Sequence, residues 1–325
     1  MFYLIVKPRN VPLIMQKTKT LLRRLPEHHP TRSVIEQDYS WRKAGLKGEL
    51  EIDYYISLLP EEDYLIFNGL RLSYGSHHFQ IDTLLLSSNF ALLIEVKNLA
   101  GELFYDQHTK QLIKTLNGKV EALSDPIAQV KRQKYQFKRL LANLLPNSFP
   151  IEHLVVLSNQ SSILKTNPGG ESIFKEIMFG ESLIFRISEM EKSHKKHLLP
   201  SPQLGIVKNK LTECHQPFDQ DILEHYSIMS KDVYSGVRCP NCDRLPMEWK
   251  RGLWLCATCK HSSKTAHLTS IQDFVLLYNE PFKNFQIRRF LHIPSIYLTS
   301  RLLSKANLPS TGEKRHRTYH LELND

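Results

Sequence analysis

Four cysteines, Cys239, Cys242, Cys256 and Cys259, constrain this chain more tightly than any other feature, because they form two Cys-x-x-Cys pairs separated by 13 residues. Two residues between thiols bring both sulfurs to one side of a tight turn. Two such turns can offer four thiolates at the corners of a tetrahedron. That set satisfies Zn2+ and leaves no open coordination position, so a structural zinc ribbon is expected rather than a catalytic metal. Met247, Glu248, Trp249 and then Trp254, Leu255 read as two short strands turning at Arg251 and Gly252. His261 and His267 are surplus to the ligand set. The fifth cysteine, Cys214, stands apart beside His215 and reads as an isolated thiol without catalytic duty. Thiols paired for metal rather than for disulfides fit a reducing compartment, and the expected location is cytoplasmic.

A length of 325 residues exceeds one small core and suggests two compact units with connecting segments. The balance of 43 Lys plus Arg against 33 Asp plus Glu gives a net charge of +10, which favours polyanionic partners. The charge is uneven. Residues 1–35 hold seven Lys or Arg and one Glu and read as a basic arm. The apolar opening, residues 2–6, is cut by Lys7 and Pro8, too early for a signal peptide. No segment is long and apolar enough to span a bilayer, so no membrane partner is expected.

After the arm, residues 34–59 read as a helix. Leu46, Leu50, Tyr54 and residues 56–59 recur at near-helical spacing, which predicts a buried face, and Gly45 and Gly48 allow a neighbour to approach closely. Three short runs follow, residues 64–72, 78–87 and 90–96, rich in β-branched and aromatic residues and separated by turn residues; they predict an antiparallel meander. A further pair, residues 101–105 and 110–116, is expected to extend that sheet. Asp125 and Pro126 then open a helix to about Leu145, and residues 151–158 return as a strand. The fold class expected is α/β (α+β), a central mixed sheet flanked by helices. Residues 189–202, rich in Lys, His, Ser and Pro, are a first weak boundary, and the main linker is expected near residues 227–237.

Within the meander, Asp82 follows Phe79, Gln80, Ile81, and Glu95 and Lys97 alternate with apolar Leu93, Ile94, Val96. Alternation puts Glu95 and Lys97 on one face of their strand, and the hairpin puts Asp82 on the strand beside it. Charges in apolar runs are costly unless a partner or a metal compensates them. Breaking a phosphodiester needs a cation to neutralise developing charge and activate water, and hard Mg2+ takes carboxylate oxygens plus water. Asp82 and Glu95 can supply those oxygens. Lys97 can polarise the water or stabilise the charged phosphorus centre. Glu49, next to Gly48 on the preceding helix, is the candidate third acid.

Together, Ala44, Gly45, Leu46, Gly48, Glu49, then Gln80, Ile81, Asp82, then Ile94, Glu95, Val96, Lys97, Asn98, then Asp125, Pro126, Gln129 resemble the nuclease-related domain (NERD) family, a branch of the restriction-endonuclease-like superfamily. The resemblance covers roughly residues 40–160. It implies catalytic positions at Asp82, Glu95 and Lys97, an accessory acid at Glu49, and Gln129 near the site, where it can bind a phosphate or hold the lysine, with Lys131, Arg132 and Lys134 nearby for the backbone. The family usually has Asn where this chain has Asp125.

Beyond the cysteines, residues 271–278, 284–291 and 295–306 read as three helices, followed by residues 309–323 as a hairpin with Lys314, Arg315, His316 and Arg317. This order resembles a winged helix, loosely, and residues 237–325 carry more basic than acidic side chains, as a phosphate-facing surface requires. The expected organisation is therefore a basic arm (1–35), a nuclease-like domain (36–226), a zinc ribbon (237–262) and a winged-helix-like module (268–325). The expected function is hydrolysis of DNA phosphodiester bonds with Mg2+ or Mn2+ held by Asp82 and Glu95. The competing expectation is a nucleic-acid-binding protein whose nuclease fold is silent.

Overall fold

The computed structural model describes residues 4–60, 63–278, 281–313, 316–321 and 323. The chain opens with strand β1 (Leu4–Lys7), helices α1 (Leu13–Arg24) and α2 (Arg32–Ile56), and strands β2 (Leu65–Tyr74), β3 (His77–Leu86) and β4 (Ala91–Lys97). Strands β5 (Glu102–Asp106), β6 (Gln111–Leu116) and β7 (Lys119–Leu123), helix α3 (Pro126–Leu140) and strands β8 (Ile151–Leu157), β9 (Ile163–Thr166) and β10 (Ile177–Phe179) follow. Then come α4 (Leu183–Ser193), α5 (Ser201–Cys214), α6 (Ile222–His225), β11 (Glu248–Lys250), β12 (Leu253–Leu255) and β13 (Ser262–Ser263). Helix α7 (Ala266–Tyr278), β14 (Phe282–Lys283), α8 (Asn284–Phe290), α9 (Ile296–Lys305), β15 (Ser310–Thr311) and β16 (Thr318–Tyr319) complete it. These elements form two units, each from two stretches of chain. One joins the N-terminal strand, through Asn10, to Lys43–Pro217; the other joins Val11–Arg42 to everything from Phe218 on.

The first unit is built on a six-stranded mixed sheet, β1-β2-β3-β4-β8-β10. β2, β3 and β4 are the expected antiparallel meander, while β1, β8 and β10 add to it in parallel pairs. Ala91 and Leu93 of β4 join the core under α3 and α5, and Leu92, Ile94 and Val96 join the opposite core under α2 and α4. Both faces are covered, as near-continuous apolar strands require.

Three expectations about this unit need correction. Strands β5 to β7 do not extend the central sheet. The free edge of β4 is taken by β8, from Ala91↔Ile151 to Lys97↔Leu157, so β5 to β7 form a second sheet, β7-β6-β5-β9. On α2 the buried stripe is Gly48, Ile52 and Ile56, not Leu46, Leu50 and Tyr54; Leu50 and Tyr54 are more than half exposed. Gly48 decides this, because a Cβ there would lie 2.6 Å from both Asn98 Cβ and Ser158 Oγ, whereas a Cβ on Gly45 would meet open space. Residues 189–202 are not a boundary: Leu199 is fully buried, and the Leu198 and Leu199 amides donate to Ser88 O.

The second unit corrects the reading of residues 1–35 as a basic arm. Part of that stretch is β1, paired with β2, and part is α1, which buries Leu13, Ile14, Met15 and Leu21. The buried Arg24 donates to Asp273 Oδ2 of α7 from Nε at 2.9 Å and lies 4.7 Å over the Phe290 ring. Its Nη1 donates to Tyr234 O at 2.9 Å. Residues 218–236 belong here as well: Ile222, Leu223, Tyr226, Ile228 and Val233 share a core with Ile14, Leu21, Leu25, Ile35 and Leu277. The domain junction therefore falls at Pro217 and Phe218 rather than at residue 226.

Farther on, the order α7, β14, α8, α9, β15, β16 with a sheet arranged β14-β16-β15 is a winged-helix-like arrangement. Lys314 and Arg315 of the expected wing lie outside the described residues. Among the described residues, no helix is long and apolar enough to cross a membrane.

Candidate active site and metal centre

The site begins where two strands part. Ile81 and Leu84 should face opposite sides of a regular strand, yet both belong to one core, as do Phe67 and Leu70 across the pair. The pleat is therefore interrupted at Gly69 and Asp82, and Gly69 takes the left-handed φ of +60° that only glycine adopts without cost. The β3–β4 ladder runs from Leu86↔Ala91 to Thr83↔Ile94 and stops. The next sheet donor, Val96 N, gives its proton to Asp82 Oδ2 at 2.9 Å. A carboxylate thus ends the ladder in place of a backbone carbonyl.

Glu95 and Lys97 emerge on the α3 side of β4, and Lys97 Nζ donates to Glu95 Oε1 at 2.6 Å. Asp125 Oδ1 caps α3 by accepting Ile127 N at 2.8 Å, with Pro126 opening the helix. That entry presents Gln129 and Gln133, one turn apart, to the same carboxylate. Gln129 Nε2 donates to Glu95 Oε1 at 2.7 Å and Gln133 Nε2 to Glu95 Oε2 at 2.8 Å. Lys97 Nζ also donates to Gln129 Oε1 at 3.1 Å. Gln133 was missed in the sequence, although its i+4 relation to Gln129 is a legible signal. Its Oε1 is buried without a hydrogen-bond partner among the described residues.

Arg9 is the second residue that sequence reasoning missed. It follows β1, carries a side chain only 4% exposed, and reaches Glu49 and Asp53 of α2 as ion pairs. Burial, followed by the negative charges of Glu95 and Glu49, holds the Asp82 carboxyl well above the usual range. Burial likewise raises Glu49, against the opposing pull of Arg9. The expected residues Asp82, Glu95, Lys97 and Gln129 do come together. Glu49 lies near enough to act on Asp82 electrostatically but is turned to Arg9, and among the described residues no three carboxylates close into a ligand cage. The balance here is four carboxylates, Glu49, Asp53, Asp82 and Glu95, against two cations, Arg9 and Lys97. Such a donor set fits one divalent cation in charge and in chemistry, since hard cations take carboxylate oxygens.

The cysteine centre lies in the second unit. Cys239, Cys242, Cys256 and Cys259 place their sulfurs within 4.8 Å of one another. Two of these separations, Cys239 to Cys259 and Cys242 to Cys256, are 3.6 Å, close to the edge of about 3.8 Å of a tetrahedron with Zn–S bonds near 2.3 Å. The two knuckles repeat one turn. Cys239 N donates to Arg244 O and Cys256 N to His261 O, both at 2.9 Å. Each turn passes through a left-handed residue, Asp243 at φ 58° and Lys260 at φ 60°. The four cysteines are thus compatible with zinc. Arg251 and Gly252, both at positive φ, form the hairpin between β11 and β12. His267 is turned away, its Nδ1 accepting Trp254 Nε1 at 3.2 Å.

Residues 44–158 fit the model of the nuclease-related domain family, NERD. No curated protein and no solved structure matches the chain. The stretch that fits, residues 44–158, is the one that supplies Glu49, Asp82, Glu95, Lys97, Gln129 and Gln133, and over it the chain carries a nuclease-related domain.

Proposed function

We propose that the first unit hydrolyses phosphodiester bonds of DNA with Mg2+ or Mn2+ held by Asp82 and Glu95. The observation that carries this reading is the charge imbalance around the end of β4, where four carboxylates, the buried Glu95 and the partly buried Glu49, Asp53 and Asp82, face two cations, Arg9 and Lys97. When bound, the divalent cation supplies neutralisation of phosphate charge and a more acidic water. The chain's own groups do the rest. Gln129 and Gln133 fix both oxygens of Glu95, so that carboxylate is oriented before substrate arrives. Lys97, a quarter exposed while Glu95 is only 4% exposed, gives two of its protons to Glu95 and Gln129 and keeps the third for a phosphate oxygen or the attacking water. Asp82 is held by Val96 N.

The test is cleavage of plasmid and single-stranded DNA with added Mg2+. Lys97→Ala and Glu95→Gln should each lower the rate by about 100-fold or more. Equal activity in the parent and Lys97→Ala removes the enzymatic claim.

A second reading, a nucleic-acid-binding protein with a silent nuclease fold, draws on α9. Its exposed face carries Tyr297, Ser300, Arg301, Ser304 and Lys305. Residues 281–312 contain five Lys or Arg and no Asp or Glu, a composition suited to phosphate. Grip without cleavage is the outcome that selects this reading.

A further inference from the structure

The guanidinium of Arg9 has every donor committed. Nε and Nη2 bind Asp53 bidentately at 2.7 and 2.9 Å. Nη1 binds Glu49 and also donates to the Asp82 carbonyl at 3.1 Å. The remaining Nη2 proton goes to Thr83 Oγ1 at 2.7 Å, with Asn68 Oδ1 at 3.3 Å beside it. Five N–H groups in a rigid fork fix the orientation completely. A counter-ion for Asp53 alone would need only one edge of that fork. This one spans from α2 to the backbone of Asp82, and it takes up Glu49, the acid best placed to be a third ligand.

We propose that Arg9 is a positioning residue that competes with the site's divalent cation for Glu49, keeping that carboxylate on its own guanidinium and leaving Asp82 and Glu95 to face the cation. This rests on the divalent-cation reading of the site given above. The guanidinium and the divalent cation are alternative partners for one carboxylate, and in a buried setting each strongly excludes the other. Arg9 thereby sets how tightly the site holds its cation. A residue with only a structural duty would act in the opposite direction, since loosening the N-terminal strand would disorder the acids and weaken cation binding.

The experiment is calorimetric titration of the full chain with Mn2+ alone, with the heat of the Asp82→Asn protein subtracted to remove any other site. Arg9→Met leaves Glu49 and Asp53 uncompensated and should bind Mn2+ at least tenfold more tightly than the parent. The double variant Arg9→Met with Asp53→Asn removes one charge of each sign, so the net charge is that of the parent and the fold is spared an unpaired acid. It should still bind at least tenfold more tightly, because the freed Glu49 becomes a ligand. Adding Glu49→Gln to the double variant should return the affinity to that of the parent. Unchanged or weaker binding by the double variant, with Asp82-dependent binding intact in the parent, overturns the role of Arg9 and leaves the cation site standing. Absence of any Asp82-dependent Mn2+ binding in the parent overturns both.

Discussion

Asp82 has two duties that conflict when no cation is present. Its Oδ2 completes the sheet by accepting Val96 N, and its charge sits buried beside Glu95 and Glu49. The hydrogen bond favours the charged form and the surroundings oppose it more strongly. An amide keeps the acceptor and loses the charge. Asp82→Asn should therefore stabilise the protein in magnesium-free buffer by roughly 1–2 kcal/mol, a rise of several degrees in unfolding temperature. On the proposed cation reading, Mg2+ should stabilise the parent and not this variant. Thermal unfolding with and without added Mg2+ reads both effects, with magnesium removed by dialysis because a chelator would also attack the cysteine centre. A lower midpoint for Asp82→Asn in magnesium-free buffer would contradict the crowding described here. Arg9 and Gln133 show how much chemistry at this scale escapes sequence reading. The partners of Arg9 lie 40 to 74 residues away, and no local pattern announces such a pairing.

Among the elements, those with a clean period were legible. The meander β2 to β4 and the shared face of Glu95 and Lys97 follow from alternation, and the ribbon follows from cysteine spacing. What failed needed long-range information. The placement of β5 to β7 depends on β8 having taken the edge of β4, and the burial of α1 depends on Asp273, 249 residues beyond Arg24. Charged side chains such as Arg24 and Lys17 read as solvated when their partners are so distant. His267 gives a testable case of the same kind. It sits on α7, 4% exposed, and burial pushes its pKa down to about 4. The unfolded chain takes up that proton near pH 6.5 while the folded chain does not, so stability is lost as pH falls from about 6.5 toward 4. His267→Gln keeps an acceptor for Trp254 Nε1 and cannot titrate there. Urea unfolding across this range should show a shallower acid loss for the variant, by at most about 3 kcal/mol at the lower end; parallel curves would mean that His267 is not the source. Any proton uptake by the cysteines is common to both proteins and cancels in the difference.

At the scale of the whole molecule, the boundary between units decides how nucleic-acid binding can be measured. A fragment beginning at Val237 holds the ribbon, α7, α8 and α9, yet it lacks α1, whose Arg24 pairs with Asp273 and whose Leu21 shares a core with Leu277. Cutting there takes the closer guanidinium from the buried Asp273, leaving only Arg238 Nε at 3.5 Å, and breaking a buried pair in this way destabilises the fragment. Binding by α9 therefore belongs on the full chain, without added Mg2+ so that any cleavage does not run. On a duplex, each phosphate contact releases counterions, and the logarithm of the binding constant falls with the logarithm of salt in proportion to the number of contacts. Arg301 and Lys305 lie one turn apart on a helix with no acidic residue. Replacing both by Glu should make that slope shallower by about two and weaken binding at low salt by more than tenfold. Lys97→Ala should leave the slope within about one contact of the parent, because a single lysine at a cation site contributes at most one phosphate contact. An unchanged slope in Arg301→Glu with Lys305→Glu would remove α9 from the nucleic-acid surface. A full loss of slope in Lys97→Ala would instead move the grip to the nuclease-related domain, where the basic residues of α3, Lys131, Arg132 and Lys134, would be the next to exchange.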